Sequence, residues 1–267
     1  MRTLAITSGK GGVGKTSLTA NLCIALAAAG KRVIAFDGDL GLANLDIVLG
    51  VSTDLTLQHV VAEQKTLAEV VVEGPGGIGF IAGGSAIHTL LHAGPKRMGT
   101  FLSQMERLSS KTDYLLIDTS SGIDSKVLTF LSLADEVLLV TTPEPASITD
   151  AYAVAKLLFK KRPNAIVKVL VNMVQFPDEA KCVFNALQTV SQQFLDKQFN
   201  YLGHVRADPS VSQSTRMRAP FLITAPNGIA SMDVRMLASH LIASHRDEAG
   251  GIASRLLEDM EDGETAA

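Results

Sequence analysis

Short apolar runs alternate with longer stretches of mixed polarity along most of the 267-residue chain. The runs cover 3–7, 32–36, 78–82, 114–117, 137–140, 167–171 and 201–205. Because consecutive positions are apolar, rather than every second one, these runs are typical of strands buried on both faces. Such strands occur in parallel sheets that helices cover on both sides. The pattern therefore predicts an α/β fold with a mostly parallel central sheet flanked by helices on both faces.

The pattern continues without an internal repeat or a low-complexity linker until about position 245. We therefore expect one domain over 1–245 and a polar, acidic tail over 246–267. Four apolar residues of the tail recur at helical spacing and favour a short amphipathic helix: Ile252, Leu256, Leu257 and Met260. Acidic residues over 258–264 surround them and would be repelled by anionic lipids. A weak membrane anchor, a solvent-exposed tail and a protein-docking helix all stay open.

The amino-acid composition limits the classes of protein to which this chain can belong. The chain has 24 basic and 27 acidic residues, a net charge of −3 and 46% hydrophobic residues, which is ordinary for a soluble globular enzyme. This balance gives no overall attraction to nucleic acid, so no nucleic-acid partner is expected. Cys23 and Cys182 lie far apart and form no CxxC pair, which argues against zinc and iron–sulfur sites. The longest uncharged run, 16–30, is too short to span a membrane, so we expect a cytoplasmic or peripheral protein.

The strongest chemical signal is the sequence GKGGVGKT at 9–16. It satisfies the P-loop pattern, in which glycines let backbone N–H groups turn toward phosphate oxygens at the start of a helix. Lys15 is placed to contact the β- and γ-phosphates of a nucleotide, and the Thr16 hydroxyl to coordinate the Mg²⁺ bound to them. A strand over 3–7 and a helix over 17–29 flank the loop in the required order. The predicted phosphate-binding residues are Gly9, Lys10, Gly11, Gly12, Val13, Gly14, Lys15, Thr16 and Ser17.

Aspartates follow two of the predicted strands. Asp37 and Asp39 come after the run 32–36, and Asp118 ends the run 114–117 in the manner of a Walker B carboxylate. Ligands of parallel sheets bind beyond the carboxyl ends of strands, where a carboxylate can hold Mg²⁺ through water. We therefore predict Asp37 and Asp118, together with Thr16, as the metal-associated residues. If strand geometry continued, Asp37 and Asp39 would point the same way; capping of the following turn is the alternative role.

Lys10 departs from the plain P-loop pattern. With this lysine, GKGGVGKT resembles the deviant Walker A motif of the MinD/ParA group of P-loop ATPases, and the resemblance covers nearly all of 1–242. It implies the P-loop NTPase fold, ATP and Mg²⁺ as cofactors, and a homodimer in the ATP-bound state, because Lys10 then crosses to the partner's phosphates. It also implies that Asp39 positions the attacking water. Lys10, Lys15 and Asp39 are thus the predicted catalytic residues, and a solvated loop position is the alternative for Lys10.

The resemblance extends to the base-binding side of the site. Asn172, at the end of the run 167–171, matches the group's base-contacting asparagine, and a carboxamide can both donate to and accept from an adenine edge. Asp208 matches the second base-side segment and is available to the adenine amino group. Arg206 stands where relatives usually have proline. Turn or cap roles are the alternatives for Asn172 and Asp208.

Three further segments resemble the FlhG (FleN) branch of flagellar-number ATPases: 41–46, Asp118–Thr119 and 218–221. That branch implies a switch with slow ATP hydrolysis, which regulates the number or placement of flagella. It implies an FlhF-type GTPase and flagellar switch or transcription proteins as partners, and reversible attachment to the inner face of the cell membrane. Three other functions stay open: a MinD-type division-site regulator, another cargo-positioning ATPase, and a metabolic ATP-dependent enzyme of the same fold.

Overall fold

The computed structural model describes residues 1–39, 44–83, 86, 89 and 95–244. The tail predicted over 246–267 and part of the loop after Asp39 lie outside these residues. The boundary near 245 and the tail helix therefore stay predictions.

The elements alternate along the chain in the way that the apolar runs predict. The strands are β1 (Arg2–Thr7), β2 (Val33–Gly38), β3 (Val72–Glu73), β4 (Gly79–Ile81), β5 (Tyr114–Thr119), β6 (Glu136–Thr141), β7 (Ile166–Val174) and β8 (Asn200–Arg206). The helices are α1 (Lys15–Ala28), α2 (Leu45–Leu49), α3 (Leu57–Val61), α4 (Pro95–Ser109), α5 (Ser125–Leu133), α6 (Pro145–Lys161), α7 (Pro177–Leu195), α8 (Pro209–Arg216), α9 (Phe221–Thr224) and α10 (Ile229–Ala243). Each apolar run predicted as a strand overlaps one of these strands.

The strands form one sheet in the order β3-β4-β2-β5-β1-β6-β7-β8. The short strand β3, which no apolar run indicated, pairs antiparallel with β4, and the other described pairings are parallel. The predicted α/β class and mostly parallel sheet are therefore confirmed. In this topology the carboxyl ends of β1, β2, β5, β6, β7 and β8 share one edge, where ligands of such sheets bind.

Both faces of the sheet are buried. Leu4 and Leu116 pack with α1 and α10 on one face, whereas Phe36 and Ile117 pack with α4 and α5 on the other. Successive strand residues thus enter opposite cores, as the two-residue period of a strand requires. Leu4 and Leu116 are fully buried, and replacing such a residue by alanine costs about 2–5 kcal/mol of stability.

Helix α1 is buried along most of its length, from Leu18 to Leu26. It lies between the sheet and α10, so its first turn, which follows the P-loop, is held in place by the core rather than by surface contacts. Among the helices that the structure describes, none is long and apolar enough to cross a membrane.

Candidate nucleotide site

The P-loop connects the end of β1 at Thr7 to the first turn of α1. Gly12 and Gly14 adopt left-handed conformations, with φ of 79° and 87°, which glycine accepts without steric cost. A Cβ on Gly14 would also lie 2.5 Å from Nδ2 of Asn172, so neighbouring side chains leave no room for a larger residue. Gly14 is the N-cap of α1, and the free N–H groups of that helix end suit a phosphate group.

Lys15 lies close to the predicted carboxylates. Burial lowers the pKa of its ammonium group, and the charges of Asp118 and Asp39 act in the opposite direction. The structure therefore brings Lys15, Asp39 and Asp118 together at the P-loop, although Asp39 and Asp118 are far apart in sequence. A lysine in this position suits the charge of a nucleotide's outer phosphates.

Asp37 and Asp118 form a pair of buried carboxylates. They occupy partner positions on β2 and β5 and are 1% and 2% exposed. Asp37 accepts hydrogen bonds from the backbone N–H groups of Asp39 (3.0 Å) and Leu45 (3.2 Å). Burial raises the pKa of Asp37 to about 7, and the charge of Asp118 adds to the increase.

Asp118 is oriented from α1. The Thr19 hydroxyl donates to its Oδ1 at 3.1 Å, and the Thr16 side chain also hydrogen-bonds to it. Burial raises its pKa to about 6, against the opposing effects of Thr16 and Lys15. Asp37 and Asp118 are almost fully buried and accompany Thr16, whose hydroxyl is of the kind that coordinates a metal ion. This arrangement fits a divalent cation, which would favour the ionised forms of both carboxylates.

Strand β2 ends too early for strand alternation to make Asp37 and Asp39 point the same way. β2 ends at Gly38, so Asp39 lies beyond the strand and is partly exposed. A Cβ on Gly38 would lie 2.8 Å from the Asp118 carbonyl oxygen, so only glycine lets β2 pass this close to β5 at its end. The argument from strand alternation therefore does not apply to Asp39.

Lys10 forms an ion pair with Glu144 of the same chain. The lysine side chain is 41% exposed and that of Glu144 is 64% exposed. Glu144 is the N-cap residue of α6. Sequence reasoning missed it, although a polar residue after the apolar strand β6 and directly before Pro145 was an available signal. The role of Lys10 across a dimer interface stays a prediction.

A cavity of about 510 Å³ lies beside the P-loop. Gly14, Ser17, Asn172 and Asp208 line it together, so the structure brings both predicted base-side residues to the loop. The side chain of Asn172 donates to the Val13 carbonyl oxygen at 2.8 Å, which fixes the orientation of its amide. Such a cavity, with few polar groups in defined positions, is typical of a small-molecule site.

Asp208 has the cap role that was weighed against base contact, and it also lines the cavity. It is the N-cap of α8 and accepts hydrogen bonds from the backbone N–H groups of Ser210 (2.9 Å) and Ala230 (3.1 Å). Burial would raise its pKa, but hydrogen bonds from the Ser210 side chain and from the backbone of Ala230, Ser210 and Ile229 together lower it. An ionised Asp208 is a hydrogen-bond acceptor, as contact with an amino group requires.

The neighbouring Arg206 is held by Asp233 of α10. Its guanidinium donates from Nε (2.9 Å) and from Nη2 (2.6 Å) to the two carboxylate oxygens, and its backbone N–H donates to the same carboxylate at 2.9 Å. Asp233 is buried. Sequence reasoning did not find this partner, because it lies 27 positions away with no motif linking the two.

No group of three or more His, Cys, Asp or Glu side chains that could hold a metal ion occurs in the described part of the chain. The donors at the P-loop nevertheless fit Mg²⁺, which keeps several waters and is bound through one or two carboxylates plus substrate phosphates. Thr16 would hold it directly, and Asp37 and Asp118 through water.

Comparisons with known proteins agree with this geometry. The ParA family model, described as a NUBPL iron-transfer P-loop NTPase, matches residues 1–242. The antiactivator FleN of Pseudomonas aeruginosa is 37% identical over 238 residues, which are 89% of this chain and 85% of that protein. The flagellum site-determining protein YlxH of Helicobacter pylori is 34% identical over 242 residues, 90% and 81% of the two chains. The septum site-determining protein MinD of Pyrococcus horikoshii, complexed with Mg-ADP, has a TM-score of 0.71 and 28% identity, with coverage of 94% and 98%.

The iron transfer in that description does not suit the cysteines of this chain. Cys23 is buried and Cys182 is exposed, and they belong to α1 and α7, which cover opposite faces of the sheet. They cannot form a cluster site within one chain. Three observations indicate the same family: the P-loop, the order of strands in the sheet, and the sequence similarity over most of the length. The chain belongs to the ParA/MinD family of nucleotide-binding P-loop NTPases.

Proposed function

We propose that this protein is an ATP-dependent dimerising switch, which hydrolyses ATP slowly and regulates the number or placement of a cellular structure, namely flagella. The convergence of Lys15, Asp39 and Asp118 at the P-loop carries the proposal of ATP hydrolysis. The relatives FleN and YlxH, whose names refer to antiactivation and to the flagellum site, support the biological output. The catalytic domain proposed for this activity covers 1–245.

The residues of the site have separate roles in this proposal. The P-loop N–H groups and Lys15 bind the phosphates, while Asn172 and Asp208 bind the adenine edge. Bound Mg²⁺ would supply positive charge to the phosphates, held by Thr16 and, through water, by Asp37 and Asp118. Asp39 orients the water that attacks the γ-phosphate.

Dimerisation depends on Lys10. In the single chain its ammonium group pairs with Glu144 at the exposed end of α6, so it is not committed to its own phosphate site. A second copy bound to ATP offers three phosphates as a stronger anionic partner. Lys10 would leave Glu144 for them, and loss of the γ-phosphate after hydrolysis would weaken the dimer.

The similarity to MinD supports a second candidate within the same mechanism. A septum site-determining protein shares 28% identity and nearly the whole fold, so control of the division site or of another cargo is the alternative output. The partners proposed for the flagellar output are an FlhF-type GTPase and flagellar switch or transcription proteins. A weak membrane contact through 246–267 would place the protein reversibly at the inner face of the cell membrane.

The mass in solution of the Asp39→Ala protein tests the switch directly. We expect a dimer with ATP and a monomer with ADP, because the variant binds ATP but does not hydrolyse it. Adding Lys10→Ala to this variant should restore the monomer in ATP. Asp178→Ala, at a side chain that is 89% exposed on α7, is the matched control and should hydrolyse ATP like the wild type.

An unchanged mass in ATP would remove the switch and favour a metabolic ATPase, whose ATP turnover would require a small co-substrate. Sedimentation with anionic liposomes, run in parallel, separates the two parts of the proposal. Co-sedimentation that needs ATP supports the membrane contact, whereas a dimer that stays in the supernatant rejects it and leaves the switch intact.

A further inference from the structure

Strand β7 is irregular at the point where it meets the cavity. Met173 has a φ of 60°, a left-handed conformation that is uncommon for residues other than glycine. The pairing register between β7 and β8 shifts between Asn172 and Val174, as in a β-bulge. Methionine gains nothing locally from this conformation, so the surrounding structure must hold it there.

The bulge changes which side chains reach the cavity. In a regular strand, successive side chains point to opposite faces of the sheet. Asn172 and Met173 are successive residues, yet both line the cavity beside the P-loop. The left-handed residue therefore adds an apolar group to the cavity wall without moving the Asn172 amide away from the Val13 carbonyl oxygen.

Met173 also reaches the P-loop itself. A Cβ on Gly14 would lie 3.5 Å from its terminal methyl group, so the methionine side chain extends across one end of the cavity. It is 44% exposed, so the protein leaves much of this side chain, which lines the cavity, uncovered. A flexible, polarisable thioether is well suited to contact with the face of an aromatic ring.

We propose that Met173 packs against the face of the nucleobase and that the bulge in β7 exists to place it there. The proposal rests on the nucleotide-binding function proposed above. Asn172 and Asp208 would contact the edge of the base, where adenine and guanine differ, whereas a thioether on the ring face contacts both purines alike. Met173 therefore adds affinity for the base without selecting between them.

Binding measurements on the full chain with Mg²⁺ test this assignment. The ligands are ATP, GTP and inorganic tripolyphosphate, which has phosphates but no base. Met173→Ala and Met173→Gly should each weaken the binding of ATP and of GTP by the same factor, about 2- to 10-fold for the loss of a sulfur–aromatic contact. The affinity for tripolyphosphate should not change. Met173→Leu keeps an apolar side chain and should lose less affinity for ATP and GTP than these two variants. Met236→Ala, at an exposed methionine of α10 outside the cavity, should bind both nucleotides like the wild type.

Thermal unfolding separates the effect of the Met173 backbone conformation on stability from the effect of its side chain on base binding. Met173→Gly should raise Tm above that of Met173→Ala, because glycine accepts the positive φ. The glycine variant should thus be more stable than the alanine variant and still bind the base more weakly than the wild type. An unchanged ATP affinity in that variant rejects the proposal, and so does an equal loss for tripolyphosphate, which would mean a disturbed P-loop. If the wild type binds no ATP, the proposed function itself fails; if it binds ATP and the variants match it, this inference alone fails.

Discussion

Asp37 and Asp118 lie side by side at the carboxyl ends of two neighbouring parallel strands, and both are almost fully buried. Their carboxylates receive hydrogen bonds from Asp39, Leu45 and Thr19, but burial still raises both pKa values. The pair therefore keeps its protons up to about pH 6 to 7, whereas an ordinary aspartate has a pKa of 3.8. Burial of these two carboxylates lowers the stability of the ligand-free protein, and it also keeps them in position to bind a cation.

The stability of the protein without nucleotide and magnesium should fall as the pH rises from about 4 to about 7. An unfolded aspartate releases its proton near pH 3.8, whereas folded Asp37 keeps it until about 7. The folded state thus binds more protons across this window, and the linked stability is present below it and lost above it, by up to about 4 kcal/mol. Urea unfolding at pH 5, 6, 7 and 8 measures the effect.

Asp37→Asn should reduce that pH dependence, because the asparagine does not titrate, and the part due to Asp118, whose pKa is raised to about 6, should remain. Asp178→Asn, at an exposed side chain, is the control and should follow the wild-type curve. Parallel curves for the wild type and Asp37→Asn would show that the burial of Asp37 does not govern its protonation.

Lys15→Ala should weaken ATP binding by at least about 100-fold, because the phosphates lose the main cation placed to contact them. Titration calorimetry of the nucleotide with Mg²⁺ measures the loss. Lys181→Ala, at a side chain that is 68% exposed on α7, should bind ATP normally. Undiminished affinity in Lys15→Ala would defeat the assignment of the phosphate site.

Thr19→Val should weaken the affinity for Mg²⁺ in the nucleotide complex about tenfold, as the loss of a group that orients a metal-associated carboxylate does elsewhere. Valine keeps the shape of the buried threonine but cannot donate to Asp118. Thr149→Val, whose exposed hydroxyl donates to the Pro145 carbonyl oxygen within α6, controls for general effects of the exchange. A Mg²⁺ titration of nucleotide binding would settle the point, and equal curves for both variants would exclude an orienting role for Thr19.

Glu144→Gln should strengthen the ATP-dependent dimer by up to about fivefold for each of its two Lys10 residues, since an exposed ion pair is worth about 1 kcal/mol or less. The change removes the partner that holds Lys10 within its own chain. Sedimentation equilibrium in the Asp39→Ala background measures the dimer constant. A weaker dimer would mean that Glu144 contributes to the interface instead of competing with it.

The sheet was predictable because its strands are apolar at consecutive positions, and the P-loop because its glycines and lysine form a contiguous motif. Polar ends of strands, such as Glu136 of β6 and Asn200 of β8, were missed because main-chain pairing continues beyond the apolar run. The two-residue β3 was missed because a strand of that length has no periodicity to detect.

The partners of the site were less accessible to sequence reasoning. Thr19 lies 99 positions from Asp118, and Glu144 lies 134 positions from Lys10, so their contacts depend on the order of strands in the sheet. The left-handed Met173 gave no local signal, because methionine has no preference for that conformation. Contacts that arise from the tertiary fold had to be seen in the structure.

The start of α6 and the P-loop pack directly against each other. A Cβ on Gly9 would lie 2.2 Å from the backbone of Asp150 in α6, so even alanine there would act as a wedge between the loop and the helix. A Cβ on Gly12 would meet no protein atom within 4 Å, so within the protein itself only the backbone conformation limits replacement. Two glycines of one motif should therefore have different mutational tolerance, with asparagine accepted at position 12 and no substitution accepted at position 9.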